Sequence, residues 1–419
     1  MKYAAMFAAS AAAVSVVSGC ATSPGTLPSN PTPASVRNGS RPARSTSSYR
    51  IIFSFDKSNG EEPYASLVDV SGTLYGTTRL GGTPHKHYRG TVFSLSTSGA
   101  EAVLHAFGGR PDGRYPIANL IEVNGALYGT SSQGGSYGHG TVFEITLSGT
   151  EKVLHSFGGG ADGSGPLSGL IAVDRTLYGT TYDGGGNGCY NGNGCGTVFS
   201  ISTSGKENVL YRFAGGTDGA NPRAALLDVK GVLYGTTSNG GGSYCSSGTG
   251  CGTVFSVTTG GSENVIYRFE SANGANPAAS LIDLGATLYG TTTYGGSYSQ
   301  CGYGEGCGTV FAVSLAGSER VVYNFTGSAD GAYPDASLIS VNGKLYGTTT
   351  NEGSTNCYCG TVFSVTKNGS ETTLHAFEGD PNYDGEVPRG ALTELSGTLY
   401  GTTTGGGMYR KGTVFALTP

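Results

Sequence analysis

A chain of 419 residues with 74 glycines, 26 tyrosines, 16 phenylalanines and no tryptophan has the composition of short strands and tight turns, which points to an all-β class. Its net charge of −5 leaves no basic excess of the kind that nucleic-acid binding demands, so DNA and RNA are set aside as partners. Two or three ordinary domains would fit the length, but a repeat that runs through the chain makes it one array.

In chain order, residues 1–19 have the layout of an export signal: Lys2 supplies a short positive start, Ala4 to Val17 an apolar run of small residues, and Val17-Ser18-Gly19-Cys20 the end. That ending resembles the lipobox of bacterial lipoproteins. The resemblance implies cleavage before Cys20 and lipidation of Cys20; Ala21, where Asp is absent, implies delivery to the outer membrane, on the cell surface or the periplasmic face. An ordinary cleaved signal is the alternative. Residues 20–48 are Pro, Ser, Thr, Asn and Arg with little to bury, which predicts a disordered tether. The membrane is then touched through the lipid alone.

Residues 49–419 carry Leu-Tyr-Gly-Thr-Thr or a near copy seven times, with its tyrosine at Tyr75, Tyr128, Tyr178, Tyr234, Tyr289, Tyr346 and Tyr400. A repeat of about fifty residues signals a solenoid or a propeller. The unit around Tyr234 shows four pieces. An apolar run, Ala224 to Val229, turns at Lys230-Gly231 and returns as Val232 to Thr237, a hairpin pattern. After a glycine-rich loop come Gly252 to Val257, a Gly260-Gly261 turn, and Asn264 to Phe269. The ordered chain opens with a fourth-type strand, Ile51 to Phe55, and closes with a third-type strand, Gly412 to Leu417. A ring lets the first complete the last sheet and removes both free edges. The expectation is a seven-bladed β-propeller of four-stranded antiparallel blades, closed by its N-terminal outer strand and monomeric.

Tandem units carrying Leu-Tyr-Gly-Thr-Thr, a Gly-Gly loop and Gly-Thr-Val-Phe resemble the GloVer repeat family of exported bacterial surface proteins, over essentially residues 50–418. More distantly the order of pieces is similar to kelch blades, without the kelch tryptophan. The resemblance implies an exported propeller and brings no assigned activity.

Eight cysteines besides Cys20 fall as Cys189 with Cys195, Cys245 with Cys251, Cys301 with Cys307, and Cys357 with Cys359, one pair in each of four successive units. In an exported protein this reads as four local disulfides; zinc would need four ligands converging from one place. Cys357 and Cys359 are close enough in sequence to make that bridge doubtful. Asp-Gly or Asn-Gly with Pro four residues after the Asx recurs in every unit, from Asn59 with Pro63 to Asp384 with Pro388. One carboxylate per copy suits a turn better than a calcium site. His105, His155 and His375 share a position with Tyr211, Tyr267, Tyr323 and Phe53, which marks a place for a flat ring rather than a catalytic base. No metal and no cofactor is expected.

Chemistry is expected where the repeat is broken. Before Gly-Thr-Val-Phe, units three to six have cysteine, whereas units one, two and seven, neighbours in a closed ring, have Arg89, His139 and Lys411. Their loops add His85, His87, Tyr88, Tyr137, Tyr409 and Arg410, and the loops entering units one and seven add Glu61, Glu62 and Asp384. The expectation is a binding or adhesion module, with this crescent holding an extracellular glycan or a protein partner. The alternative is a polysaccharide hydrolase or lyase, with Glu61, Glu62 or Asp384 and His85, His87 or His139 as acid and base.

Overall fold

The computed structural model describes residues 48–419, apart from 83–88, 187, 190–191, 243–244, 246–247, 299–300, 302–303 and 355–356. The proposed signal, Cys20 and the tether lie outside these residues. Seven four-stranded antiparallel sheets follow one another as the blades of a propeller. In blade four the strands are Leu227–Val229, Val232–Thr237, Thr253–Thr258 and Glu263–Arg268, in that order from the axis outward. The short first strands of successive blades adjoin one another around the axis.

Blade seven takes its outer strand from the other end of the chain. Ser48–Ser54 pairs antiparallel with Thr413–Thr418, Ser48 opposite Thr418 and Ser54 opposite Thr413. The ring is therefore closed by backbone hydrogen bonds, as the sequence predicts. Each blade also carries a bulge between its third and fourth strands, at Val92/Phe93 in blade one and at the matching place in the others.

The repeated motifs are scaffold, and each of their residues has a reason. Leu74 packs toward blade seven and Tyr75 toward blade two, so one strand serves two inter-blade cores. Gly76 is required because a Cβ there would stand 2.7 Å from the Phe93 ring, which lies across it from the paired strand. Thr77 Oγ1 donates to the Ala118 carbonyl of the next blade, and the same bond recurs in every blade but the sixth, as far as Thr402 Oγ1 and the Ala65 carbonyl at 2.9 Å; Thr348 Oγ1 is the exception. Thr78 and Thr91 share a hydroxyl hydrogen bond of 2.8 Å across the second and third strands. At each blade junction the phenylalanine ending one outer strand meets the phenylalanine of the next Gly-Thr-Val-Phe edge on, from Phe55 with Phe93 at 5.1 Å to Phe377 with Phe415 at 5.3 Å. Such pairs add about 0.5–1.5 kcal/mol each beyond the area they bury. Seven buried clusters result, one per junction, including Phe55, Tyr400 and Val414 against Leu67 and Phe93 at the closure.

All four disulfides are formed, in blades three to six. The doubt about Cys357 and Cys359 is corrected: the chain bends enough to hold their Cα atoms 5.3 Å apart, within the usual bridging range.

Candidate binding face

On one face, the loop joining the second and third strands of a blade meets the loop that enters the same blade from its neighbour. Short backbone bridges join them in every blade, Glu61 with Leu80, Gly113 with Gly134, and Ala220 with Asn239 among them. The entering loop is held by one device throughout. The residue before each recurring proline is left-handed: Glu62, Tyr115, Gly165, Asn221, Asn276, Tyr333 and Val387 all have φ between +56° and +62°. Its N–H donates to the carbonyl of the residue preceding Gly-Thr-Val-Phe in the blade before, as Tyr115 does to Arg89 at 2.8 Å and Glu62 to Lys411 at 3.0 Å. The glycine of that motif is also needed there, since a Cβ on Gly90 would stand 2.7 Å from Pro116.

After each proline the chain reaches the axis, where seven triplets line a shallow cavity of about 100 Å³. The first residues of the triplets are Tyr64, Ile117, Leu167, Arg223, Ala278, Asp335 and Arg389, so the scaffold is sevenfold and its chemistry is not. Around this opening arginine and tyrosine alternate. The Arg114 guanidinium lies 5.5 Å from the Tyr115 ring centre, and Arg79 lies 5.8 Å from both Tyr115 and Tyr64. Arg389 is 5.3 Å from the Tyr64 ring centre and 3.0 Å from Asp335, which also accepts from the Thr293 hydroxyl. Arg223 over Tyr182 at 5.9 Å, and Tyr294 edge on to Tyr333 at 5.3 Å, continue the set.

Electrostatics favours cations there. Burial works against the Arg79 charge, yet the hydrogen bond and charge of Glu62, 2.6 Å away, outweigh it and raise its pKa further. Burial, and then Asp335, raise Tyr294, which keeps its hydroxyl protonated as a donor.

The residues expected to form the crescent are distributed over three junctions. Lys411 is ion-paired with Glu61, and Glu62 with Arg79, at the seven–one junction. Arg89 donates to the Gly108 carbonyl at the one–two junction, and His139 Nδ1 lies 3.1 Å from Ser164 Oγ at the two–three junction. Arg410 is paired with Asp380; Tyr137 and Tyr409 are exposed. His85, His87 and Tyr88 lie outside the described residues. Asp384 does not belong to an open site. It is buried, and its oxygens accept from Tyr49 OH at 2.5 Å, His375 Nε2 at 3.1 Å and the N–H groups of Glu378 and Gly385.

The recurring Asx caps its own loop in every blade. Where it is aspartate it also accepts from the flat ring of the outer strand, as in His105 with Asp112, Tyr211 with Asp218 and Tyr323 with Asp330, whereas Asn273 donates to the Tyr267 hydroxyl. The first residue of the next outer strand faces the pair. It is a glutamate in six blades, and burial and then the facing carboxylate raise Glu151, Glu207 and Glu263 to about 7. Two such groups, His105, Asp112 and Glu151, and His155, Asp162 and Glu207, bring their ligand atoms within 4.8 Å of one another. Elsewhere tyrosine takes the histidine's place and makes the same bond, so the pattern is that of a hydrogen-bonded junction rather than of a metal centre.

A sequence profile of the Gloeobacter/Verrucomicrobia repeat matches residues 40–249 and 246–419. The chain belongs to this family. Among solved structures, this member of the Gloeobacter/Verrucomicrobia repeat family is similar to the Xanthomonas campestris gluconolactonase XC5397, at 16% identity over 70% of this chain and 82% of that one, TM-score 0.40. It is similar also to the periplasmic gluconolactonase PpgL of Pseudomonas aeruginosa, at 14% over 74% and 84%, TM-score 0.43. A puromycin-hydrolyzing peptidase of Mycobacterium tuberculosis matches at 11% over 84% of this chain and 51% of its own, TM-score 0.49. No curated protein sequence matches the chain.

In this repeat-family chain the axial arginines and tyrosines were missed by sequence reasoning, which followed the residues before Gly-Thr-Val-Phe. A signal for them exists. The residue after each recurring proline changes from unit to unit while the proline before it is constant and the residue after it stays small, and Tyr64, Arg223, Asp335 and Arg389 are among those residues.

Proposed function

We propose that this propeller is a binding module for an extracellular polymer, a glycan carrying acidic groups, which it holds across the axial face. The observation that carries the reading is the run Arg114, Tyr115, Arg79, Tyr64, Arg389, in which each guanidinium lies within 5.8 Å of a tyrosine ring. Tyrosine offers a flat apolar face and a hydroxyl to a sugar ring; Arg79 and Arg389 each give one nitrogen, Nη1, to Glu62 and Asp335, and it is their remaining N–H donors, with those of Arg114, that a carboxylate or sulfate would take. The groups are on loops fixed to a rigid ring, the usual location of recognition on such scaffolds. The carboxylates that cleavage would draw on, Glu61, Glu62 and Asp384, are each engaged by a partner, which favours binding over hydrolysis or elimination. Lipidation at Cys20 and residence at the outer membrane would hold this face where such polymers are met.

The test is titration of the full-length protein with a uronate-rich polysaccharide and with a neutral one, alongside an assay for released reducing or unsaturated ends. Retention of the acidic polymer without release of ends is expected, and Arg79→Gln with Arg389→Gln should weaken it. Cleavage of any polysaccharide in the panel, or equal indifference to both polymers, would overturn the reading.

A further inference from the structure

The one–two junction holds a basic cleft of about 290 Å³, lined by Arg89, Arg110, Asp112, Arg114, Gly134 and Gly138, which adjoins the axial run and shares Arg114 with it. Two neighbouring junctions show what its geometry requires. The position of Arg89 is Lys411 at the seven–one junction and His139 at the two–three junction, and the position of Arg114 is Glu61 and Ser164 respectively. In both cases the two side chains touch, Lys411 Nζ on Glu61 Oε1 and His139 Nδ1 on Ser164 Oγ at 3.1 Å. These are contacting positions, and at the one–two junction both are arginine.

Like charges placed together in a partly buried cleft repel unless something neutralises them. Among the described residues no carboxylate lies within ion-pair distance of Arg89, Arg110 or Arg114. Asp112 is spent, since its oxygens accept from His105 Nε2 at 3.2 Å, Gly108 N–H at 2.6 Å and Gly113 N–H at 2.7 Å. Arg114 Nε is buried and has no acceptor, a condition that a bound anion would relieve. Arg89 is anchored by its Nη1 bond to Gly108 O, which fixes the guanidinium at the wall. Arg110 also lines the cleft, its Nη2 only 3.3 Å from where a Cβ on Gly138 would be, so the glycine leaves it room.

We propose that this cleft binds a tetrahedral oxyanion, the phosphate monoester of a sugar, bridged between Arg89 and Arg114 and closed over by Arg110. Three guanidiniums against one carboxylate leave two positive charges, which a phosphate monoester matches and a carboxylate or sulfate ester half matches. The cleft, at about 290 Å³, leaves room beside a phosphate for the sugar that carries it. The site deepens the polymer-binding reading by naming the acidic group, and it rests on that reading only for the ligand's source.

The test uses the full-length protein titrated calorimetrically at low ionic strength with glucose 6-phosphate, inorganic phosphate, glucuronate and glucose. Glucose 6-phosphate is expected to bind at least about tenfold more tightly than glucuronate, and glucose not at all. Arg114→Gln and Arg89→Gln should each weaken the phosphate about tenfold, while Arg79→Gln and Arg389→Gln leave it within about twofold. Melting curves on every variant confirm folding, and Arg89→Lys serves where Arg89→Gln does not fold. Absence of phosphate binding, a preference for glucuronate, or loss on Arg79→Gln but not on Arg114→Gln overturns the site. Acidic-polymer binding that survives those failures leaves the broader reading intact. Phosphate binding without polymer binding supports the cleft and removes the polymer.

Discussion

Val387 is a β-branched residue in the left-handed region, at φ +56°, in a position that is asparagine in blades four and five. Left-handed backbone costs an L-residue with a Cβ roughly 1–2 kcal/mol, least for asparagine. Val387→Asn should therefore raise stability by about 1 kcal/mol, read from the midpoint of urea unfolding. A lower midpoint would mean that packing of the valine outweighs the strain. The junction glutamates make a second residue-scale prediction. Burial first, then the facing carboxylate, lift Glu151 from an ordinary 4.5 to about 7, so the folded protein keeps protons that the unfolded chain releases. Glu101, Glu207, Glu263 and Glu371 share the displacement. Stability from these groups is fully present below pH 4.5 and declines as pH rises to about 7. Asp162 opposes this only in acid: burial alone would raise it, but His155 and the Gly158 N–H hold it below its ordinary 3.8, so its contribution is lost below that value. Melting temperature should fall between pH 5 and pH 7.5, and Glu151→Gln with Glu207→Gln should flatten that slope. An unchanged slope in the double variant would remove these glutamates from the account.

The N-terminal strand is the element on which closure depends. Tyr49 stands where the other outer strands have glutamate, stacks on His375 with ring centres 3.6 Å apart, and donates to Asp384 at 2.5 Å. Tyr49→Phe removes a hydrogen bond to a buried carboxylate and should cost about 1.5–3 kcal/mol. Deleting Ile51 to Phe55 should destabilise far more than deleting residues 21–47, because it strips the outer strand from blade seven and exposes an edge. Equal melting temperatures for the two deletions would contradict closure by this strand. The disulfide-bearing loops form the other distinctive elements. Three of the four bridges close six-residue separations, for which loop entropy gives about 2 kcal/mol each. Reduction should lower the melting temperature and leave anion titration at the one–two junction unchanged, since that junction has no cysteine. Parallel loss of both would show that the ring transmits the loosening.

At the scale of the whole molecule, the ring divides labour between its buried motifs and its face. Seven near-equivalent junctions hold the axis and the face rigid, and the loops vary over them. If the axial arginines bind an acidic polymer, affinity should drop steeply as ionic strength rises, because half-exposed guanidiniums are screened over about 8–10 Å. Arg79→Gln with Arg389→Gln should reduce both the affinity and its salt dependence without lowering the melting temperature by more than a degree or two, given the small worth of partly exposed ion pairs. Salt-independent binding would point to the tyrosines alone.

The architecture is legible in the chain because the fold is written seven times. Leu74, Tyr75, Phe93 and Phe107 each have six counterparts in the same order, and the fourth-type strand at the start with a third-type strand at the end leaves a closed ring as the solution without free edges. Tertiary structure alone decided the face. Nothing local in the sequence says that Tyr64, Arg79, Tyr115 and Arg389 meet, since Arg389 reaches Tyr64 only when the ring brings blade seven beside blade one. Nor does it say that Lys411 would be neutralised by Glu61 while Arg89 and Arg114 line one cleft, neither of them ion-paired among the described residues. Strands and turns are set by local pattern and repetition, whereas the charge state of a site depends on which side chains a closed ring carries into contact.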